Sequence, residues 1–277
     1  MKIIEPFIRL LRGFVALLLV FMAGKCLFMA CYPAIYGPLG GWEAIAPVLV
    51  HGLPMDCSMA AYFCALPLLI MTAGIWWRSP WIGRSLKAYT VIAAALIAVA
   101  FVADTALYGY WAFKLDTTAL FYLTTSPAAA MASVPWWTPL CGLALVLLIG
   151  WGIYALLWRM WRPSALACAV RRSASTALML LAAPLLVLAM RGGVTVSTMN
   201  LSSAYFSPSA PLNHAAVNPL FSFMYSATHQ SHFSDQFRFY PSQQEAESIY
   251  ADLLRNGGSA AQDTLPAPRR PELSISE

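Results

Sequence analysis

Residues 191–226 read RGGVTVSTMNLSSAYFSPSAPLNHAAVNPLFSFMYS, and this stretch separates two kinds of sequence. Before it lies a succession of apolar runs; after it the chain is polar. Gly192 and Gly193 follow Arg191 and release the backbone from a preceding helix, as glycines commonly do at a helix C-terminus. Residues 200–211 are rich in Ser, Pro and Asn and read as irregular. Asn218-Pro219 then opens a short helix, with Asn as its cap and Pro in its first turn. Leu220, Phe221, Phe223, Met224 and Tyr225 are too few to cross a bilayer and suit a helix lying in its interface.

Upstream, the chain is membrane-like. Of its 277 residues 60% are apolar and only 10% charged, where soluble domains carry about 25% charged residues. A helix needs roughly 20 apolar residues to cross a hydrocarbon core. Five runs qualify: residues 13–32, 58–76, 86–107, 139–158 and 173–190. The first has a basic start, but no small-x-small cleavage site ends it, and Lys25 before Cys26 spoils a lipoprotein-type site. It reads as an uncleaved anchor.

Positive charge sets the orientation. Lys2, Arg9 and Arg12 precede the first span; Arg78, Arg84 and Lys87 follow the second; Arg159, Arg162, Arg171 and Arg172 follow the fourth. The two other loops, residues 33–57 and 108–138, hold only Lys114 between them. The positive-inside rule then places the N-terminus in the cytoplasm and everything after Met190 outside. Trp76, Trp77, Trp81, Trp158 and Trp161 fall at inner edges and Trp136 and Trp137 at an outer one, where indoles concentrate. The net charge of +5 is thus a matter of topology and gives no nucleic-acid signal.

Few charges lie in or near the spans: Lys25 within the first, Asp56 just before the second, Asp104 near the outer end of the third. Either they sit at the outer interface and snorkel, or Lys25 pairs with one of the aspartates, or they form a headgroup-binding pocket. The loop 108–138 is long, aromatic and almost uncharged, so it is expected to fold onto something. Asp116 is placed to cap a short helix through residues 120–123, lying on the outer leaflet or touching a lipid or an external domain. The six cysteines, Cys26, Cys31, Cys57, Cys64, Cys141 and Cys168, form no CxxC pair and read as small packing residues, with a Cys31–Cys57 disulfide as the one alternative.

Downstream of the stretch, Ser242 and Glu245 form a capping-box pattern. Ala246, Ile249, Tyr250, Leu253 and Leu254 make one apolar helical stripe that Gly257 stops. That face needs a partner, and only a Gly/Ser/Ala/Pro linker (257–271) and residues 272–277 follow. His214, His229, His232 and Asp235 offer at most a weak H-x-x-H signal for a metal. No G-x-S-x-G elbow, phosphate loop, dinucleotide fingerprint or internal repeat is present.

Arg191-Gly192-Gly193, then SSAYFS from Ser202, then LNHAAVNPLFSFMYS from Leu212, resembles the segment after the last membrane span in lipoteichoic-acid-synthase-like proteins, membrane members of the sulfatase and alkaline-phosphatase superfamily. The stretch Lys114-Leu115-Asp116-Thr117-Thr118, continuing to Phe121-Tyr122-Leu123 and Pro127, is similar to a loop of the same proteins. The resemblance covers residues 1–256. It implies a five-helix membrane domain, a linker with interfacial helices, and an extracytoplasmic catalytic domain. That domain binds manganese, magnesium or zinc, uses a Thr or Ser nucleophile, and transfers phosphoglycerol or hydrolyses an ester. The family's catalytic domain opens with an Arg-Pro-Asn-type run into a strand ending at a metal-binding Glu. Here Arg270-Pro271 is followed by ELSISE ending at Glu277, a spacing too short for that strand. No catalytic, cofactor-binding or metal residue is therefore carried over to this chain.

The expectation is an all-α membrane protein with five transmembrane helices, N-terminus in and C-terminus out. It also has interfacial helices and an amphipathic helix in its extracytoplasmic tail. Its parts are a transmembrane domain (1–190), a linker (191–240), and an amphipathic helix with a truncated opening to a catalytic domain (241–277). It reads as the anchor and linker of such an enzyme from a truncated or split gene, in a bacterial inner membrane. Its expected partners are membrane lipids and a missing or separate sulfatase-like domain, which would hold the divalent metal. Lys25, Asp56, Asp104, Lys114, Asp116, Arg191, Asn213, His214 and Asn218 are the candidate lipid or domain contacts. The other reading is a stand-alone scaffold or lipid-binding protein that recruits a soluble partner through the stripe at residues 249–254.

Overall fold

The computed structural model describes residues 3–77, 79–125, 135–162, 172–229, 242, 244–245 and 247–252. Among them every regular element is helical. The chain divides into two units, Met1–Thr228 and His229–Glu277. Five helices of the first unit are long and apolar enough to cross a membrane: α1 (Glu5–Cys31), α3 (Ile45–Trp76), α4 (Pro80–Trp111), α6 (Trp137–Trp161) and α7 (Arg172–Arg191). This is the architecture of a multi-pass membrane protein. Short elements join them: α2 (Pro33–Tyr36) with the 3-10 turns Gly37–Leu39 and Gly41–Ala44, and α5 (Thr118–Thr125). After α7 come a 3-10 turn (Leu201–Ala204), α8 (Ala210–Ala216) and α9 (Pro219–His229).

The helix ends follow local chemistry. α1 starts with Pro6 in its first turn, and Glu5 in that turn accepts from Arg9 at 3.0 Å, an i to i+4 pair. α4 starts where the Ser79 hydroxyl accepts the Trp81 N–H at 3.3 Å. It stops at Ala112, whose left-handed φ of 56° turns the chain back while its N–H bonds the Tyr108 carbonyl at 2.9 Å. Two expected caps are present. The Asp116 carboxylate accepts the Thr118 N–H at 2.9 Å and starts α5, and the Asn218 side chain accepts the Leu220 N–H at 3.0 Å and starts α9.

The apolar runs understate the helices. α3 begins at Ile45, not near Ser58, and continues through Pro54, so most of the expected loop 33–57 is helical and Asp56 lies well inside a helix. His51, Pro54 and Asp56 interrupt the apolar pattern, but only the pattern: a proline forfeits one backbone hydrogen bond, which tertiary packing can offset.

α1, α3, α4 and α6 form a ring, α3 and α6 flanking α1 and α4 packing mainly along α6; α7 lies against α3 and touches α1. The α3–α7 pair is stapled at both ends. Ser58 Oγ donates to the Met190 carbonyl at 2.8 Å, and Trp76 Nε1 donates to Thr176 Oγ1 at 2.9 Å. α3 thus lies alongside α7 only from about Ser58 onward. The turns from Ile45 to Cys57 continue past the end of α7 by roughly 20 Å at about 1.5 Å per residue. Between α1 and α6, Gly13 lets the Trp161 indole lie on the α1 backbone: a Cβ there would sit 1.7 Å from its Nε1. That nitrogen is the one buried side-chain polar atom without a partner among the described residues.

In the second unit, residues 244–245 and 247–252 are helical, and Ser242 Oγ accepts the Glu245 N–H at 3.2 Å. Ala246, Leu253 and Leu254 of the expected stripe lie outside the described residues, as do His232, Asp235, Cys168, Pro127 and residues 257–277. Cys26, Cys31, Cys57, Cys64 and Cys141 are free thiols, so the alternative Cys31–Cys57 disulfide is not formed.

Candidate functional site

Three of the spanning helices carry an ionisable group on their packed face. On α1, Lys25 is in register with Leu17, Phe21 and Phe28; on α3, Asp56 follows Val48, Gly52 and Met55; on α4, Asp104 follows Ile97 and Ala100 and precedes Tyr108. All three are buried, so none reaches the interface by snorkelling, and each finds a partner inside.

Lys25 Nζ donates to Asp56 Oδ2 at 2.7 Å. The other carboxylate oxygen accepts from Asn218 Nδ2 at 2.9 Å, and the Asn218 backbone N–H points at Met55 Sδ, 3.3 Å away. Asn218 is 1% exposed although it lies in the post-membrane stretch. Gly52 makes this approach feasible. A Cβ at that position would stand 2.1 Å from Lys25 Nζ and 2.4 Å from the Ala216 carbonyl oxygen.

The second pair is Lys114 with Asp104. Because Ala112 reverses the chain, Lys114 and Leu115 come back alongside α4. Lys114 donates to Asp104 Oδ2, and the Leu115 N–H donates to Oδ1 at 2.9 Å. The Lys114 ammonium stands 3.9 Å from the Phe28 ring centroid, a cation–π contact. Burial pushes this ammonium below the ordinary lysine range, and Asp104 opposes the shift. Tyr108 packs edge-on against Phe28 and its hydroxyl lies 3.2 Å from His214 Nδ1. Burial, helped by nearby Lys114 and opposed by Asp104, holds His214 below the ordinary imidazole range. A cavity of about 20 Å³ between the two pairs is lined by Lys25, Asp104, Lys114, Ala215 and Val217, room for about one water.

The linker is folded onto this end of the bundle. Asn213 Oδ1 accepts the Phe206 and Ser207 N–H groups, both at 2.9 Å, and its Nδ2 donates to the Ser207 carbonyl at 2.7 Å. Phe206 stacks on His51 of α3 at 4.4 Å, and the Tyr36 hydroxyl donates to the Pro211 carbonyl at 3.2 Å. The Thr117 N–H donates to Ser226 Oγ at 3.3 Å, tying the loop between α4 and α5 to α9.

The structure therefore gathers Lys25, Asp56 and Asn218 in one cluster and Asp104, Lys114 and His214 in the adjoining one; Asn213 organises the loop beside them. Asp116 stands apart as the α5 cap. Arg191 stands apart at the end of α7, donating to the Thr195 carbonyl at 3.2 Å. Lys25 pairs with Asp56 and Lys114 with Asp104. The arrangement is a joint: it ties α1, α3 and α4 to the returning loop and to the linker. A buried ion pair adds little net stability but makes separation of its partners costly. Gly52, Tyr108, Phe28 and the Leu115 N–H are members that sequence reasoning missed. For Gly52, Tyr108 and Phe28 a signal existed, their spacing of three or four residues from a buried charge on the same helix.

Among the described residues no three His, Cys, Asp or Glu side chains converge as a metal site requires. A divalent metal of the kind the resemblance implies finds no ligand set there. Comparison with protein-family models, with curated proteins and with solved structures gives no match.

Proposed function

We propose that this chain is the membrane anchor and linker of a lipoteichoic-acid-synthase-like enzyme of the sulfatase superfamily, in a bacterial inner membrane with the linker end extracytoplasmic. The chemistry, phosphoglycerol-type transfer or ester hydrolysis, belongs to the extracytoplasmic sulfatase-like domain of the full-length parent or of a separate chain, which would also hold the divalent metal. One observation carries the reading: Asn218 of the LNHAAVNP stretch bonds directly to Asp56 inside the bundle, at 2.9 Å. Of the residues that bear the resemblance, Asn218 and His214 join the linker to α3 and α4 through Asp56 and Tyr108, Lys114 joins the returning loop to α4 through Asp104, and Asn213 folds the linker's own loop. A rigid mount of this kind suits an enzyme that must work at a fixed distance from a membrane lipid.

The test is immunoprecipitation from detergent-solubilised source membranes with an antibody to residues 243–255. The precipitate is assayed on fluorescent phosphatidylglycerol with and without manganese. Metal-dependent turnover that a chelator removes, together with an inert purified 277-residue chain, is expected. A precipitate without metal-dependent turnover would overturn the reading and favour a scaffold; turnover by the purified chain alone would overturn it differently. Orientation is checked by a periplasm-dependent phosphatase reporter fused after Glu277, which is expected to be active.

A further inference from the structure

A second cavity lies away from the joint, at the linker end of α1. It holds about 200 Å³ and is walled by Cys26, Met29 and Ala30 of α1 and by Tyr36, Gly37 and Trp42 of the turns between α1 and α3. The turns leave this space because of their glycines. Gly40 and Gly41 take φ values of 110° and 55° and bend the chain sharply, and a Cβ at Gly37 or Gly41 would meet nothing within 4 Å. The wall is apolar. Tyr36 is its one hydroxyl-bearing side chain, and that hydroxyl is committed to the Pro211 carbonyl at 3.2 Å, so only the ring faces the space.

Its position says what fills it. The exposed face of α1 runs through Leu11, Val15, Leu19, Ala23 and Leu27 at four-residue spacing and continues to Ala30, which is exposed and borders the cavity. In a spanning helix that stripe faces lipid. The cavity is thus continuous with the lipid-facing surface. Trp42, 82% exposed, also lines it, and tryptophan is a residue type that sits at the headgroup level. Apolar cavities of about 150 Å³ stay dry and take up apolar molecules as large as benzene, so water is a poor occupant. We infer that this crevice is a binding site for the acyl chain of a bilayer lipid in the leaflet at the linker end. The turns at residues 37–44 clasp the chain against α1. The inference stands independently of the proposed enzymatic role, since it uses neither the ion pairs nor the linker motif.

The full chain is reconstituted in vesicles of phosphatidylethanolamine and phosphatidylglycerol doped with a phosphatidylethanolamine that carries a diazirine on one acyl chain. After illumination, cross-linked peptides are mapped by mass spectrometry. Label at Cys26 and Met29 is expected to exceed several-fold the label at Leu19 of α1 and Leu147 of α6, both plainly lipid-facing. Gly37→Leu fills the cavity from a position with helical φ of −53° and open space at its Cβ. It should remove the excess and leave the α6 label unchanged. Cys26→Phe fills the same space from the α1 wall and gives the same reading should Gly37→Leu fail to fold. Label at Cys26 and Met29 no higher than at Leu19, or an excess that survives a folded cavity-filling variant, would overturn the inference.

Discussion

Asp56 shares its carboxylate between two distant parts of the chain: Lys25 of α1 takes one oxygen at 2.7 Å and Asn218 of the linker takes the other at 2.9 Å. Helix packing and linker docking therefore meet on one side chain. Asp56→Ala strands a buried ammonium and is expected to destabilise the bundle by about 3–5 kcal/mol, read as a lowered Tm in detergent. The pair Lys25→Met with Asp56→Leu should restore most of that Tm but leave Asn218 Nδ2 without its acceptor. Amides of residues 213–218 should then exchange faster in the double variant than in wild type. A double variant as unstable as Asp56→Ala would argue against this division of roles.

Asn213 holds the loop at residues 206–207 by three hydrogen bonds. Asn213→Ala leaves the Phe206 and Ser207 amides without that acceptor, at a cost of about 1–3 kcal/mol. Hydrogen exchange at those two amides should rise sharply, with α6 amides unchanged as the internal control.

Two glycines separate close approach from open space. Gly52→Ala places a methyl 2.4 Å from the Ala216 backbone carbonyl, which cannot rotate away as a side chain can. The linker must shift, and protease cutting within residues 199–212 should increase. Gly37→Ala meets nothing within 4 Å and should leave both Tm and the cutting pattern unchanged.

Ala112 adopts φ 56°, a left-handed conformation without the freedom of glycine. Such a conformation costs an L-residue about 1–2 kcal/mol. Ala112→Gly should relieve part of that and raise the Tm, by up to about 1 kcal/mol of stability, with the Lys114–Asp104 pair retained.

His214 gives the linker a pH dependence. Burial and neighbouring Lys114 hold its folded pKa below the ordinary value of 6.5, while Asp104 opposes them. A folded pKa below the unfolded one contributes stability that is present above the unfolded value and is lost as pH falls through the folded value. From about pH 7 to about pH 5 the Tm of wild type should fall more steeply than that of His214→Gln. Equal slopes would remove His214 as the source.

The five spans were legible because an uninterrupted apolar run of this length has one stable solution in a bilayer. The caps at Asp116 and Asn218 were legible because they are local: side chain and N–H lie two residues apart. The start of α3 was not. His51 and Asp56 look like loop residues until one knows that His51 lies against Phe206 and Asp56 against Lys25, both far away in sequence. For the same reason the sequence left Lys25 between two aspartates; the choice depends on which helices are neighbours, a property of the ring and not of any one segment. Lys114 reaching Asp104 depended on a left-handed alanine, for which the sequence carries no warning.

The extension of α3 past the end of α7 has a consequence for how the protein responds to its bilayer. The described part of α7, Arg172–Arg191, is about 30 Å long and ends at Arg191. That matches an average hydrocarbon core. α3, at 32 residues, has turns to spare. In a thicker or thinner membrane, hydrophobic mismatch is expected to act on α7 first. The joint at Asn218 rides on the surplus turns of α3 and keeps its geometry. Elevation of the linker is then expected to follow α3, which carries Asp56, and not the end of α7.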